Sequence, residues 1–235
     1  MLRKVYFWIL TGLYFGFSFI YHYPKVILAS RKNKKDGDNL ARKYAKNFGK
    51  TLFNATGKRL DIIIKDEQDF NSIKNEPVVV VSNHQSNSDI ILLLGYFPKE
   101  IGFVAKKEME TWPIVSFWMK KIQCVFLDRN NPREGIKSIK EAAEKIKEGY
   151  SIVIFPEGTR SKDGKVGEFK KGSFKLASEP GVKIVPVTIK GNISPFDKNE
   201  RAEMIIEKSI DPKKLEKSEQ KKLNEMVREI VIRGF

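Results

Sequence analysis

A chain of 235 residues, 41% of them apolar, is long enough for one α/β domain, or one domain with an attachment. Its 44 basic against 29 acidic residues leave +15, which favours an anionic partner: a lipid surface, a phosphorylated substrate, an acidic carrier protein or nucleic acid. A single cysteine, Cys124, excludes an intrachain disulfide and cysteine-cluster zinc sites, and two histidines are too few for a polyhistidine metal centre.

Residues 5–23 carry no formally charged side chain, are crowded with Tyr, Phe and Trp, and are flanked by Arg3, Lys4 and Lys25. About 20 apolar residues span a bilayer, so the length suffices; the aromatic density suits an interface equally. No small-residue cleavage site follows, which argues against a signal peptide. Residues 29–39 are polar and read as a turn. Leu40, Tyr44, Phe48 and Leu52 then recur at helical spacing, with Arg42, Lys43, Lys46 and Lys50 at other positions of the same helix. A basic amphipathic helix of this kind suits a membrane surface. Residues 1–56 together predict a membrane-anchoring helical hairpin lying in one leaflet. Should the first segment span instead, Lys25, Arg31, Lys32, Lys34 and Lys35 put the remainder on the cytoplasmic side of the cell membrane.

From residue 57 the pattern becomes α/β. Strands are predicted over 60–64, 78–81, 101–105, 122–127, 152–155 and 182–189, with an edge strand over 202–206. Helices are predicted over 88–96, 113–120, 132–147, 172–178 and 218–232. Ser88 and Asp89 are both candidates for the cap of the helix over 88–96. Alternation of strands and helices implies a mostly parallel central sheet flanked by helices over 57–235.

The strand 78–81 breaks into a polar turn carrying His84, with Asp89 five residues on. Open α/β sheets place ligand sites at that strand edge. His22 lies in the apolar segment, so imidazole chemistry falls to His84. Neutral imidazole can take a proton from a hydroxyl, and Asp89 would fix its tautomer and stabilise the imidazolium. No Gly-x-Ser-x-Gly elbow occurs, and Ser82, Ser86 and Ser88 sit on no recognisable one. The simplest scheme is a dyad whose nucleophile is the acceptor's own hydroxyl. Arg129 and Arg160 each follow a predicted strand and would converge on the same edge, where guanidinium groups suit a phosphate. Lys106 and Lys107 follow another strand and either add positive potential or are solvated. Gly49-Lys50-Thr51 and Gly167 to Ser173 lack the full phosphate-loop pattern.

Four ordered motifs carry a resemblance: Asn83-His84 followed by Asp89; Phe126-Leu127-Asp128-Arg129; Phe155-Pro156-Glu157-Gly158-Thr159-Arg160; and Val185-Pro186-Val187. Over residues 78–190 the chain resembles the glycerolipid acyltransferase family, and by size its bacterial 1-acyl-sn-glycerol-3-phosphate acyltransferases. One departure is Cys124, near a position where family members often carry Gly. The resemblance implies a membrane-bound enzyme moving a fatty acyl group from an acyl thioester, on acyl carrier protein or coenzyme A, to the sn-2 hydroxyl of lysophosphatidic acid, giving phosphatidic acid. It implies direct attack, without an acyl-enzyme, and no cofactor. It places Arg129, Arg160 and Thr159 at the glycerol phosphate. Glu157 and Gly158 shape that pocket, with Glu157 bonding a hydroxyl or orienting an arginine. The alternatives are another acceptor (glycerol 3-phosphate or another lysophospholipid) and a non-catalytic lipid-binding protein on the same scaffold. The sequence carries no nucleic-acid recognition motif.

Overall fold

The structure, a computed structural model, describes residues 2–161, 163–197 and 199–235. It opens with α1 (Leu2–Phe17), one wide helical turn over Ser18–His22, and α2 (Tyr23–Lys32). These run on as one helix, so the turn expected over 29–39 shrinks to Asn33. Asn33 is extended (φ −153°), and its side chain accepts from the Lys35 amide, capping α3 (Lys34–Thr56). Gly57, at φ +71°, ends α3 in a left-handed conformation that favours glycine.

The two long helices form the expected hairpin. Trp8, Leu13, Ile20 and Leu28 on its first arm are exposed. A long, unpaired apolar row of this kind belongs to a membrane-associated helix. The second arm is built into the domain. Ala41, Ala45 and Phe53 are buried, and α3 crosses α5 (Ser88–Tyr96) so closely that a Cβ on Gly49 would lie 2.6 Å from the Gly95 amide.

The strands are β1 (Arg59–Ile64), β2 (Val79–Ser82), β3 (Gly102–Lys106), β4 (Val125–Leu127), β5 (Ile152–Ile154), β6 (Ile184–Lys190) and β7 (Arg201–Ile206). They form one sheet in the order β1-β7-β6-β2-β5-β3-β4. Every pairing is parallel except β6 with β7. The expected edge strand over 202–206 is therefore interior. β7 lies between β1 and β6, with Ala202, Met204 and Ile206 buried, and the edges are β1 and β4. The apolar run marks a strand, but the pattern does not encode its ladder partners.

Alternation along the strands divides the core between the two sheet faces. Val80, Val153 and Val185 pack with Phe53, Leu92 and Phe97 on the α3–α5 face. Val79, Val81 and Ile154 pack with Ile146, Leu176 and Val231 on the other. That second face is covered by α7 (Pro132–Lys147), α8 (Lys175–Ser178) and α10 (Leu223–Arg233). Each fully buried Val, Leu or Phe is worth about 1.5–3 kcal/mol in transfer free energy.

Other boundaries move for local reasons. A helix α4 (Glu67–Ser72), capped by Asp66, goes unannounced in the sequence. α6 (Val115–Lys121) starts after Ile114, which sits at φ +63°, where a β-branched residue is rare. Ile122, Gln123 and Cys124 leave the strand expected over 122–127, because Gln123 turns at φ +65°. The helix expected over 218–232 breaks at Lys222 into α9 (Lys217–Lys221) and α10.

Candidate active site

β2 and β5 are adjacent and parallel, so both end at the same edge of the sheet. There Asn83 continues the ladder with its side chain. Its amide donates to the Ile189 carbonyl at 2.7 Å and accepts from the Ile189 amide at 2.8 Å. This pins the residue before His84 to β6.

His84 Nδ1 lies 2.8 Å from Asp89 Oδ2. Asp89 is fully buried. Neither it nor Ser88 caps α5, whose N-cap is Asn87 with no side-chain bond. The carboxylate turns back instead: Oδ2 also accepts from the Gln85 amide at 2.6 Å and the Ser86 amide at 2.8 Å. Oδ1 accepts from Asn192 Nδ2 at 2.6 Å. With Nδ1 occupied, Nε2 is the nitrogen of His84 left to act as a base. The ring stacks on Phe155, centroids 4.1 Å apart and planes 16° from parallel, which fixes its tilt.

Glu157 is buried beneath the histidine. Its Oε1 accepts from the His84 amide at 2.9 Å and its Oε2 from the Gly167 amide at 3.3 Å. Its oxygens go to main chain, and it pairs with neither arginine. Burial pushes its carboxyl above the usual value, against the pull of those two amides. The Ser161 amide donates to the His84 carbonyl at 2.8 Å, tying the two motif loops together.

Arg129 Nη1 donates to the carbonyl of Gly158, and Arg160 Nη1 donates to Asn87 Oδ1 at 3.2 Å. Neither forms an ion pair among the described residues. Gly158 takes φ +72°, a left-handed conformation that favours glycine. Lys106 is exposed and pairs with Glu108 at 2.9 Å. Among the described residues no group of three His, Cys, Asp or Glu could hold a metal. Pro186, of the fourth motif, lies in β6 beside β2.

His84, Arg129, Thr159, Arg160 and Lys106 all line one cavity of about 680 Å³, within the usual range of about 300–1,000 Å³ for ligand sites. Away from His84 its walls are apolar: Phe103 from β3, Cys124 just before β4, Met119 from α6, Phe15 from α1, Ala45 and Phe48 from α3. Sequence reading finds the polar rim but not this interior, which is assembled from four separate elements and the segment before β4. It also misses Asn192, whose position after Gly191 reads as an ordinary turn and which meets Asp89 across 103 positions. Gln85, whose Oε1 accepts from the Asn192 amide at 3.1 Å, is missed for the same reason.

The family model described as Acyltransferase matches residues 62–190. A chloroplastic 1-acyl-sn-glycerol-3-phosphate acyltransferase of Arabidopsis thaliana is 44% identical over 115 residues, covering 49% of this chain and 32% of that one. A probable 1-acyl-sn-glycerol-3-phosphate acyltransferase of Mycoplasma pneumoniae is 38% identical over 136 residues, covering 55% and 50% respectively. The match thus spans between a third and a half of the length of these relatives. The crystal structure of the 1-acyl-sn-glycerophosphate (LPA) acyltransferase PlsC of Thermotoga maritima superposes with a TM-score of 0.75 at 32% identity, covering 99% of this chain and 95% of that one. With the family model spanning more than half of its residues and its whole fold shared with a crystallised member, the chain belongs to the acyltransferase family.

Proposed function

We propose that the protein transfers a fatty acyl group from an acyl thioester to the sn-2 hydroxyl of 1-acylglycerol 3-phosphate, giving phosphatidic acid. His84 Nε2 takes the hydroxyl proton as the oxygen attacks the thioester carbonyl carbon. Asp89, on Nδ1, holds the ring in the tautomer that leaves Nε2 unprotonated, and stabilises the imidazolium that forms. The tetrahedral intermediate collapses with cleavage of the carbon–sulfur bond. The imidazolium returns its proton to the leaving thiolate, so free thiol and a new ester are the products. The acceptor supplies the nucleophile, and no acyl-enzyme and no cofactor are needed.

Arg129, Arg160 and Thr159 at the rim receive the acceptor's phosphate, with Lys106 adding positive potential. A guanidinium fork matches phosphate geometry. Glu157 and Gly158 shape that pocket from beneath, through the His84 amide and the Arg129 contact. The apolar interior takes an acyl chain. Acyl carrier protein and coenzyme A both present the same thioester, and either serves the chemistry. The exposed apolar row of α1 seats the protein in one leaflet of the cell membrane, on the cytoplasmic side, where the lipid acceptor lies.

One observation carries this reading: a His84–Asp89 pair opens onto an apolar cavity whose rim holds two arginines without carboxylate partners among the described residues. Purified protein given lysophosphatidic acid and a long-chain acyl thioester should release thiol and form phosphatidic acid. His84→Ala should lower that rate by about 10²–10⁴-fold. Turnover near the wild-type level in the variant rules out His84 as the base. A panel including glycerol 3-phosphate and other lysophospholipids tests the acceptor.

A further inference from the structure

Asn192 lies in the loop between β6 and β7 and is fully buried. Its Nδ2 donates to Asp89 Oδ1 at 2.6 Å. Its Oδ1 has no hydrogen-bond partner among the described residues. An amide buried with one end unsatisfied carries a desolvation cost. The opposite amide orientation is worse, because it sets an oxygen against the carboxylate. The one side-chain hydrogen bond of Asn192 is therefore directed at Asp89.

We propose that Asn192 is a positioning residue for the acyl transfer, the third member of a line Asn192–Asp89–His84. This rests on the reading of His84 as the base. Three donors converge on Asp89 Oδ2: His84 Nδ1 and the amides of Gln85 and Ser86. Among the described residues, Oδ1 has Asn192 alone. Without that donor, Oδ1 is a buried anionic oxygen with no partner. The carboxylate then gains by turning about its Cβ–Cγ bond, which pulls Oδ2 off the ring. Asn192 opposes that turn and so holds the imidazole with Nε2 toward the acceptor.

The loop itself does not depend on the side chain. The Asn192 amide donates to Gln85 Oε1 at 3.1 Å, and its carbonyl accepts from Ser86 Oγ at 2.7 Å. Lys58 Nζ donates to the carbonyl of Gly191. Gly191 turns at φ +66°, and a Cβ there would overlap the Arg201 carbonyl. Side-chain variants at 192 leave all of these bonds in place.

The test compares the full-length wild type with Asn192→Ala and Asn192→Asp, using lysophosphatidic acid and palmitoyl-coenzyme A in detergent micelles. Asn192→Ala should lower kcat by about tenfold to a hundredfold, with both KM values within about twofold of wild type. Its activity relative to wild type should not vary with pH. Asn192→Asp is nearly isosteric, and its carboxyl group donates to Asp89 only while protonated. Its activity relative to wild type should therefore rise as pH falls from about 8.5 to 5.5. A kcat for Asn192→Ala within about twofold of wild type overturns the proposal. So does a pH-independent ratio for Asn192→Asp, which decides alone should the alanine variant not fold. Absence of turnover by the wild type removes the acyl-transfer reading and this inference with it; an active wild type with an unaffected alanine variant removes only the inference.

Discussion

The cavity is built in opposite ways at its two ends. At the His84 end, polar atoms are fixed by several bonds each: Asp89 accepts four, and Glu157 accepts from two main-chain amides. Those bonds join loops from three strands, so the imidazole cannot drift without breaking buried hydrogen bonds. At the other end the walls are aromatic rings and short aliphatic side chains. His22 stacks on Tyr44 at 3.8 Å, and Tyr44 meets Trp118 edge-on at 6.5 Å. Those contacts are set by volume and shape rather than direction. The difference separates two duties. Substitutions at the polar end should change the rate for every donor alike, whereas those at the apolar end should discriminate among donors.

The largest effect should come from Asp89→Asn, which keeps the shape but removes the charge that stabilises the imidazolium. We expect kcat to fall by about 10²–10⁴-fold with short and long acyl donors equally. A loss that depended on chain length would blur the two duties. Arg160→Ala comes next. It should raise the acceptor KM by about tenfold to a hundredfold and leave the donor KM unchanged. Initial rates over an acceptor series decide this, and an unmoved acceptor KM removes Arg160 from the phosphate.

Cys124 tests the apolar end. It lines the cavity yet is 2% exposed, and burial pushes its thiol up to about 12, so it is an inert wall rather than a nucleophile. It precedes β4, whereas Arg129 follows it. The three residues of β4, Val125–Leu127, lie between them and put the wall about 10 Å from the rim. Cys124→Leu should disfavour the longest donors by about fourfold for each methylene displaced, and leave short donors unaffected. A uniform loss over all chain lengths would place Cys124 outside the acyl chain's path.

The same division decides what can be read from the sequence. His84 and Asp89 are legible because five positions of turn and helix start suffice to bring them together. β2 and β5 are legible because unbroken apolar runs mean strands buried on both faces. Asn192 is not legible, since its bond to Asp89 joins the loops after the neighbouring strands β6 and β2, 103 positions apart in the chain. Glu157 shows the limit of a motif. Its place beside Arg160 is plain in the sequence, but whether its carboxylate faces a ligand or turns back to main chain depends on where the His84 and Gly167 amides lie. The cavity interior and the interior position of β7 depend on pairings between distant elements, which no local periodicity encodes.

Glu157 also gives the smallest and most specific prediction. Its carboxyl is raised above 4.5 chiefly by burial, while the His84 and Gly167 amides pull the other way. A carboxyl raised in the folded state contributes stability that is fully present below its unfolded value, and this is lost as pH rises through the folded value. Glu157→Gln keeps an oxygen for one amide, sets its NH₂ against the other, and does not titrate. The melting temperature of wild type minus that of Glu157→Gln should therefore be greatest near about pH 4.5 and shrink toward neutrality. Acyl transfer should fall by less than about tenfold, because one of the two amide bonds survives. A difference that instead grew with pH would mean the amides outweigh burial. Glu157 would then act as a buried anion holding His84, and the variant should lose activity in step with stability.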